Sequence, residues 1–375
     1  MQLSVIILNY NVRYFLEQCV LSVQKALEGI DGEIIVIDNN SSDDSCAMMK
    51  QRFPNIKLIE NKENAGFPKG NNMGVAQAKG EFICILNPDT VVAEDTFIKI
   101  LNTEHRTLNT GIIGCKLIDG TGNFLPESKR GIPTPWVAFT KIFGLYKLSN
   151  VFGKYYAQHL SENQSGEVEI LVGAFMVMKR DLYNEIGGFD ENCFMYSDDI
   201  DLSYRVLQKG KTNYYFHETS VIHYKGESTV KDGTYMKRFQ EAMNFFYKKH
   251  FKVSVFFSVF MKIGIVLFSL MKMFQGKSRP KSTPENYFFI SNNEEMQQKL
   301  EAKLLKKIQL ATLTSSFDKQ SEIILDANSV SFKEIISFIE QNKNKSYTFK
   351  ILPPNCNFII GSNSSNDRGE VIVLD

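Results

Sequence analysis

No cysteine pair of the form C-x-x-C occurs in the sequence, and the six cysteines stand apart, at 19, 46, 84, 115, 193 and 356. That scatter excludes a zinc ribbon and argues against a disulfide frame; small buried thiols in a reducing compartment are the expectation. The first strand-to-helix turn, Asn9-Tyr10-Asn11-Val12-Arg13, has no glycine, and no G-x-x-x-x-G-K-[ST] run follows. Both familiar backbone cradles for phosphate, the dinucleotide turn and the P-loop, are therefore missing. Charge excess is missing too. A net charge of +1 over 375 residues is not the footprint of a nucleic-acid binder. The opening MQLSVIILNY has neither a basic leader nor a cleavage site, so no signal peptide is expected and the chain is expected to face the cytoplasm.

What is present is ordinary in bulk, with 43% hydrophobic and 23% charged residues, and long enough for two or three domains. The first ~120 residues alternate strand and helix patterns. LSVIIL (3–8), EIIVID (33–38), IKLIE (56–60) and FICIL (82–86) read as buried strands. VRYFLEQCVLSVQKAL (12–27) and SSDDSCAMMKQRF read as helices, and NKENAGFPKGNN reads as a loop before a short helix. Such alternation predicts a mostly parallel sheet covered on both faces, with ligands beyond the carboxyl ends of its strands. Asn9, Asp38 and Asp89 all fall at those ends. Further on, SDDIDLSYRVLQKG predicts an amphipathic helix stopped by Gly210, and TNYYFH and SVIHYKG predict two short strands. Residues 281–375 start a fresh strand–helix alternation, a small α/β domain without a catalytic constellation.

FICILNPDT poses a choice. Asn87-Pro88-Asp89 is ordinary turn chemistry, yet Pro88 also fixes the backbone before a carboxylate. Without a glycine-rich loop, an Asp holding Mg²⁺ or Mn²⁺ is the usual way to handle a substrate diphosphate. The acids Asp198, Asp199 and Asp201 pose a similar choice, between favourable charges at a helix N-terminus and a general base.

Taken in order, SVIILNYN, EIIVIDNNSSDDS, ENAGFPKGNNMGVAQAKGEFICILNPDT and GGFDENCFMYSDDIDLSYRVLQKG…VIHYKGES resemble the family 2 glycosyltransferases with the GT-A fold. The nearest subset is the rhamnosyltransferase-like enzymes of bacterial surface polysaccharide synthesis, and the resemblance covers roughly residues 1–228. It implies a GT-A, Rossmann-like catalytic domain with a mostly parallel mixed sheet. It implies a nucleotide-sugar site built from Asn9, Asn11, Asp38, Asn64, Gly66, Lys69, Asn71, Asn72, Asn87 and Asp89, with Lys69, Asn71 and Asn72 in the GFPKGNN loop. Asp89 matches the last acid of the family's D-x-D metal motif, whose first acid is Asn87 here, and His223 matches a histidine near the metal. SDDIDLSYR matches E-D-x-D-L-x-x-R, with Asp198 where Glu is common and Asp199 in the place of the catalytic base. The implied reaction is an inverting transfer to a hydroxyl, assisted by Mg²⁺ or Mn²⁺. A non-catalytic nucleotide-sugar-binding module is the alternative.

Between Lys225 and Lys281 stand twelve Lys and Arg against three acids, a local +9 that leaves −8 for the rest of the chain. Its uncharged runs, 253–261 and 263–271, are nine residues each, too short to span a bilayer at ~1.5 Å per residue. Ser254, Ser258, Lys262, Ser269 and Lys272 fall on one stripe of an otherwise apolar helix over 251–274. Such a helix suits an anionic membrane surface, with core packing and a tilted span as the alternatives. The expected organisation is thus a catalytic domain (1–228), a basic amphipathic segment and linker (229–280) and a small α/β domain (281–375). The expected setting is the cytoplasmic face of the inner membrane, with a lipid-linked or saccharide acceptor.

Overall fold

The first two strands, β1 (Leu3–Asn9) and β2 (Gly32–Asp38), are rich in Ile, Val and Leu, and β1 has no exposed residue. Strands apolar on both faces are stable only in the middle of a covered sheet. The computed structural model describes residues 1–104, 107–134, 136–137, 154–225, 233–251, 284–364 and 369–374. In it these strands pair in parallel and bring Asn9 opposite Asp38. The alternation continues through α1 (Arg13–Ala26), α2 (Ser45–Arg52), β3 (Lys57–Glu60), α3 (Gly66–Val75), β4 (Phe82–Leu86), β5 (Thr90–Val91) and α4 (Thr96–Asn102). A second group follows: β6 (Thr110–Ile118), β7 (Gly166–Val168), β8 (Phe175–Lys179), α5 (Arg180–Glu185), α6 (Asp198–Gln208), β9 (Thr212–His223) and α7 (Gly233–His250).

These strands form one sheet in the order β3-β2-β1-β4-β8-β6-β9-β5, with β7 added on β9. The β3-β2-β1-β4 half is parallel, whereas β8 runs antiparallel to both its neighbours. One face is covered by α1, α2 and α4 through Leu16, Val20, Met48 and Phe97; the other takes Val75, Leu182, Leu202 and Val206 from α3, α5 and α6.

Two sequence expectations need correcting. TNYYFH and SVIHYKG are one strand, β9, with a bulge: Cys115 pairs with Phe216, but Lys116 pairs with Ser220. The polar His217-Glu218-Thr219 looks like a break in sequence, and the ladder is interrupted there, but pairing with β6 resumes at Ser220 on the same strand. Likewise GFPKGNN is not a loop. It opens α3, because Gly70 and Gly74 let the helix lie directly on the sheet. A Cβ on Gly70 would sit 2.4 Å from Leu8 Cδ1, and one on Gly74 2.5 Å from Ile37 Cδ1. The four-residue spacing of Gly66, Gly70 and Gly74 was the helical signal in the sequence.

A second sheet holds β10 (Asn286–Ile290), β11 (Ile308–Ala311), β12 (Ser321–Asp326), β13 (Thr348–Leu352), β14 (Phe358–Gly361) and β15 (Glu370–Val373), in the order β11-β10-β12-β13-β14-β15. Its helices are α8 (Glu294–Leu304) and α9 (Phe332–Gln341). This unit does not hang free. Phe332, Ile335, Ile339 and Phe358 share one buried cluster with Val12, Phe15, Ile118, Ile222 and Tyr224 of the first sheet and its helices. Glu94 accepts from the backbone N–H of Phe332 (2.7 Å) and Lys333 (2.8 Å), so the first unit caps a helix of the second. Buried Lys116 meets Glu340 at 2.6 Å, and Lys333 meets Asp95 at 2.7 Å.

Residues 252–283, with nearly all of the expected membrane-interface helix, lie outside the described residues. Among the described residues no helix is long and apolar enough to cross a membrane.

Candidate active site

The carboxyl ends of β1 and β2 are tied to each other before they meet any ligand. Asn9 donates to Asp38 Oδ1 at 2.8 Å, and Asp38 Oδ2 accepts the Ser41 N–H at 2.8 Å. Both residues are buried, so they brace the loop that follows β2. Asn11, in the left-handed region at φ 56, accepts from the Ser42 N–H at 2.7 Å and pins the same loop. Asn39, which the sequence did not mark out, is buried too and joins the wall of the space beyond these strand ends. It donates to Asn64 Oδ1 at 2.9 Å.

A cavity of about 710 Å³ lies beyond these strand ends, within the range of small-ligand sites. Of the expected residues, Asn64, Gly66, Asn87, Asp198, Asp199 and His223 line it. Lys69 is exposed on α3, and Asn71 donates to its own helix at Phe67 O, 2.9 Å. Asn72 is occupied elsewhere. It donates to Phe189 O (2.9 Å) and accepts from the Tyr183 hydroxyl (2.5 Å). Asn9, Asn11, Asp38, Lys69, Asn71, Asn72 and Asp89 are thus not in the lining.

The Asn87-Pro88-Asp89 stretch is a turn and also an aimed one. β4 stops at Leu86, the Asn87 N–H donates to Ala174 O (3.0 Å), and the chain enters β5, where Thr90 pairs with His223. The turn thereby brings Asp89 Oδ1 to 3.4 Å and Asn87 Nδ2 to 3.3 Å from His223 Nε2. Asn87 Oδ1 and His223 Nδ1 are buried and lack hydrogen-bond partners among the described residues. An amide oxygen, a carboxylate and an imidazole suit a divalent cation that takes its other ligands from a substrate. No group of three His, Cys, Asp or Glu that could hold a metal occurs among the described residues.

Across the cavity α6 begins with Asp198 and Asp199. Tyr196 leads into it at φ 79, a strained value for a side chain of that size. Asp199 Oδ2 accepts from Arg130 Nη2 at 2.5 Å and from the Gly173 N–H at 3.1 Å. Burial and then the neighbouring charge of Asp199 push Asp198 up to about 7. The third acid, Asp201, belongs to a different structure. It binds Arg205 (2.7 Å), Lys249 (2.8 Å) and His250 (2.6 Å) and so locks α6 to α7.

A raised carboxyl pKa makes folding favour the protonated form. That stabilisation is complete below about pH 4 and is lost as pH rises towards 7. Asp198→Asn is therefore expected to gain melting temperature over wild type at pH 8 relative to pH 5. An equal difference at both pH values, measured by calorimetry, would show that Asp198 carries no such penalty.

The remaining lining includes Glu127, Arg130, Tyr155, Tyr156, Lys225 and Arg238. Lys225 pairs with Glu127, and Arg238 lies over the Phe194 ring at 5.0 Å. None of these was singled out from the sequence. They stand in irregular connections or at a helix start, where periodicity carries no signal.

Known proteins that are similar to this chain are glycosyltransferases. Glycosyl transferase family 2 matches residues 4–187. The chain is similar to the N-acetylglucosaminyl-diphospho-decaprenol L-rhamnosyltransferase of Mycobacterium tuberculosis, 26% identical over 241 residues that cover 61% of this chain and 78% of that protein. It is also similar to the GalNAc(5)-diNAcBac-PP-undecaprenol beta-1,3-glucosyltransferase of Campylobacter jejuni, 32% identical over 171 residues, 44% of this chain and 54% of that one. Among solved structures, the mannosyltransferase PcManGT from Pyrobaculum calidifontis, in complex with GDP-Man and Mn²⁺, is 17% identical at a TM-score of 0.45, covering 74% of this chain and 66% of that one. Residues 4–187, just under half of this chain, thus carry the likeness to glycosyl transferase family 2.

Proposed function

We propose that the chain is an inverting glycosyltransferase of hexosyltransferase type, acting in cell-surface polysaccharide synthesis. It moves a sugar from a nucleoside-diphosphate donor to a hydroxyl of a lipid-linked saccharide. Rhamnose or another deoxysugar is the leading choice, in line with the name of the mycobacterial relative. The observation that carries this reading is the cavity itself. It brings the acids Asp198 and Asp199 together with the Asn87 and His223 corner beyond the strand ends.

Inversion requires a single displacement at the anomeric carbon, in which the acceptor hydroxyl loses a proton as it attacks. Asp199 is the proposed base. Its Oδ2 is held by Arg130 and Gly173, which leaves Oδ1 for the hydroxyl. Asn39, Asn64 and Gly66 border the nucleotide end, and Asn9, Asn11 and Asp38 support it from below. Asp89 and His223, with Asn87 Oδ1, would hold Mg²⁺ or Mn²⁺. The ion would supply positive charge for the leaving diphosphate.

The proposed setting is the cytoplasmic face of the inner membrane, reached without a span. The local +9 between Lys225 and Lys281 supports attraction to anionic lipid.

Incubation with a panel of dTDP-, UDP- and GDP-sugars and a polyprenyl-diphosphate saccharide tests the reading, with product mass and anomeric configuration as readouts. Retained configuration would rule out direct displacement, and no product from any donor would rule out the enzyme. Asp89→Ala is expected to abolish the gain in nucleotide affinity that Mn²⁺ brings, measured by titration calorimetry, with the fold intact. A Mn²⁺ dependence equal to wild type would remove Asp89 from the metal site.

A further inference from the structure

Arg130 is one of the less economical residues in the molecule. It is 8% exposed, its Nε is buried without a partner among the described residues, and its charge lies beside a buried carboxylate. Buried ion pairs contribute little net stability, and an unmatched buried N–H is destabilising. Folding alone gives no reason for such a residue at the wall of the cavity.

Its surroundings give one. The Arg130 backbone is bridged to Ile170 in both directions, each bond 2.9 Å. Its Nη2 donates to Leu171 O at 3.1 Å and to Asp199 Oδ2 at 2.5 Å, while the Gly173 N–H donates to the same Oδ2. Two crossing segments, at 130 and at 170–173, thus form a frame around one carboxylate oxygen at the start of α6.

We infer that Arg130 is a positioning residue for sugar transfer, one that fixes Asp199 by its Oδ2 beside a second acid. This rests on the transfer reaction proposed above. The other acid is Asp198, which burial and the charge of Asp199 make reluctant to ionise. Among the described residues, the other charged and titratable groups that share the cavity are Glu127 and Lys225, paired with each other, His223 at the end of β9, Arg238 on α7 and the Tyr10, Tyr155, Tyr156 and Tyr196 phenols. Of the cations, Arg130 is the one in hydrogen-bond contact with Asp199. Sequence reasoning had no access to this, because Arg130 lies some seventy positions from Asp199.

Steady-state kinetics of Arg130→Gln, Arg130→Lys and Arg130→Ala in the full chain test the inference. Arg130→Gln is expected to lower kcat about 100-fold, the size a misplacement of about 1 Å carries, with donor KM near that of wild type. Arg130→Lys keeps charge and guards against a failure to fold; it is expected to fall between the two. Millimolar guanidinium is expected to restore part of the rate of Arg130→Ala. A kcat of Arg130→Gln equal to wild type, or no rescue of Arg130→Ala by guanidinium, would reduce Arg130 to packing and overturn the inference. A raised donor KM at unchanged kcat would make Arg130 a donor ligand and overturn it as well. If wild type transfers no sugar from any donor, the inference fails together with the reading it rests on.

Discussion

Asp199→Asn is expected to lower the rate of sugar transfer by about two to four orders of magnitude at saturating donor, the usual worth of a general base. The amide keeps the size and planarity of the side chain, and its oxygen still accepts from Arg130 and Gly173. What it loses is the capacity to take a proton. Donor affinity is therefore expected to stay within a few-fold of wild type, because the residues bordering the nucleotide end belong to other elements. Asp198→Asn is expected to cost less, since burial beside Asp199 already pushes its carboxyl up to about 7. Comparable rates in wild type and Asp199→Asn, in a single-turnover assay, would move the base elsewhere in the cavity.

The second large effect lies far from that cavity. Phe332 is 1% exposed and begins α9, whose apolar face shares a core with Phe15, Ile222 and Tyr224. Phe332→Ala is expected to cost about 3–5 kcal/mol, as for other fully buried aromatics. The loss is expected in the unfolding of both sheets, because the cluster belongs to both. A chain cut after His250 is expected to aggregate, since Val12, Ile118 and Ile222 lose their cover. Two separate calorimetric transitions in Phe332→Ala, with the larger at the wild-type temperature, would show the sheets to be independent.

The parallel half of the first sheet was legible because β1, β2 and β4 are buried on both faces and read as continuous apolar runs. The family was legible because its motifs stand in order along those strands. Polar residues at strand ends were a poorer guide to the cavity lining. Asn9 and Asp38 do sit at the strand ends, but they bond to each other and to Ser41, and their neighbours Tyr10 and Asn39 line the cavity instead. Asn71 and Asn72 were misplaced with the helix that holds them, since a glycine-rich start resembles a loop. Arg130, Glu127 and Lys225 come from connections without a period. Their meeting with Asp199 and His223 is a product of folding, and sequence spacing does not encode it.

The cap that Glu94 places on α9 also sets an order in time. Phe332 and Lys333 find their acceptor 238 and 239 positions back along the chain. During synthesis the apolar patch completed by Tyr224 has no cover until about a hundred further residues have been added. At ~5–20 residues per second this takes on the order of 5–20 s. Throughout that interval the nascent first sheet presents Phe15, Ile118 and Ile222 as a sticky face. The arrival of α9 closes it, and the growing chain is at its most vulnerable to association in the seconds before.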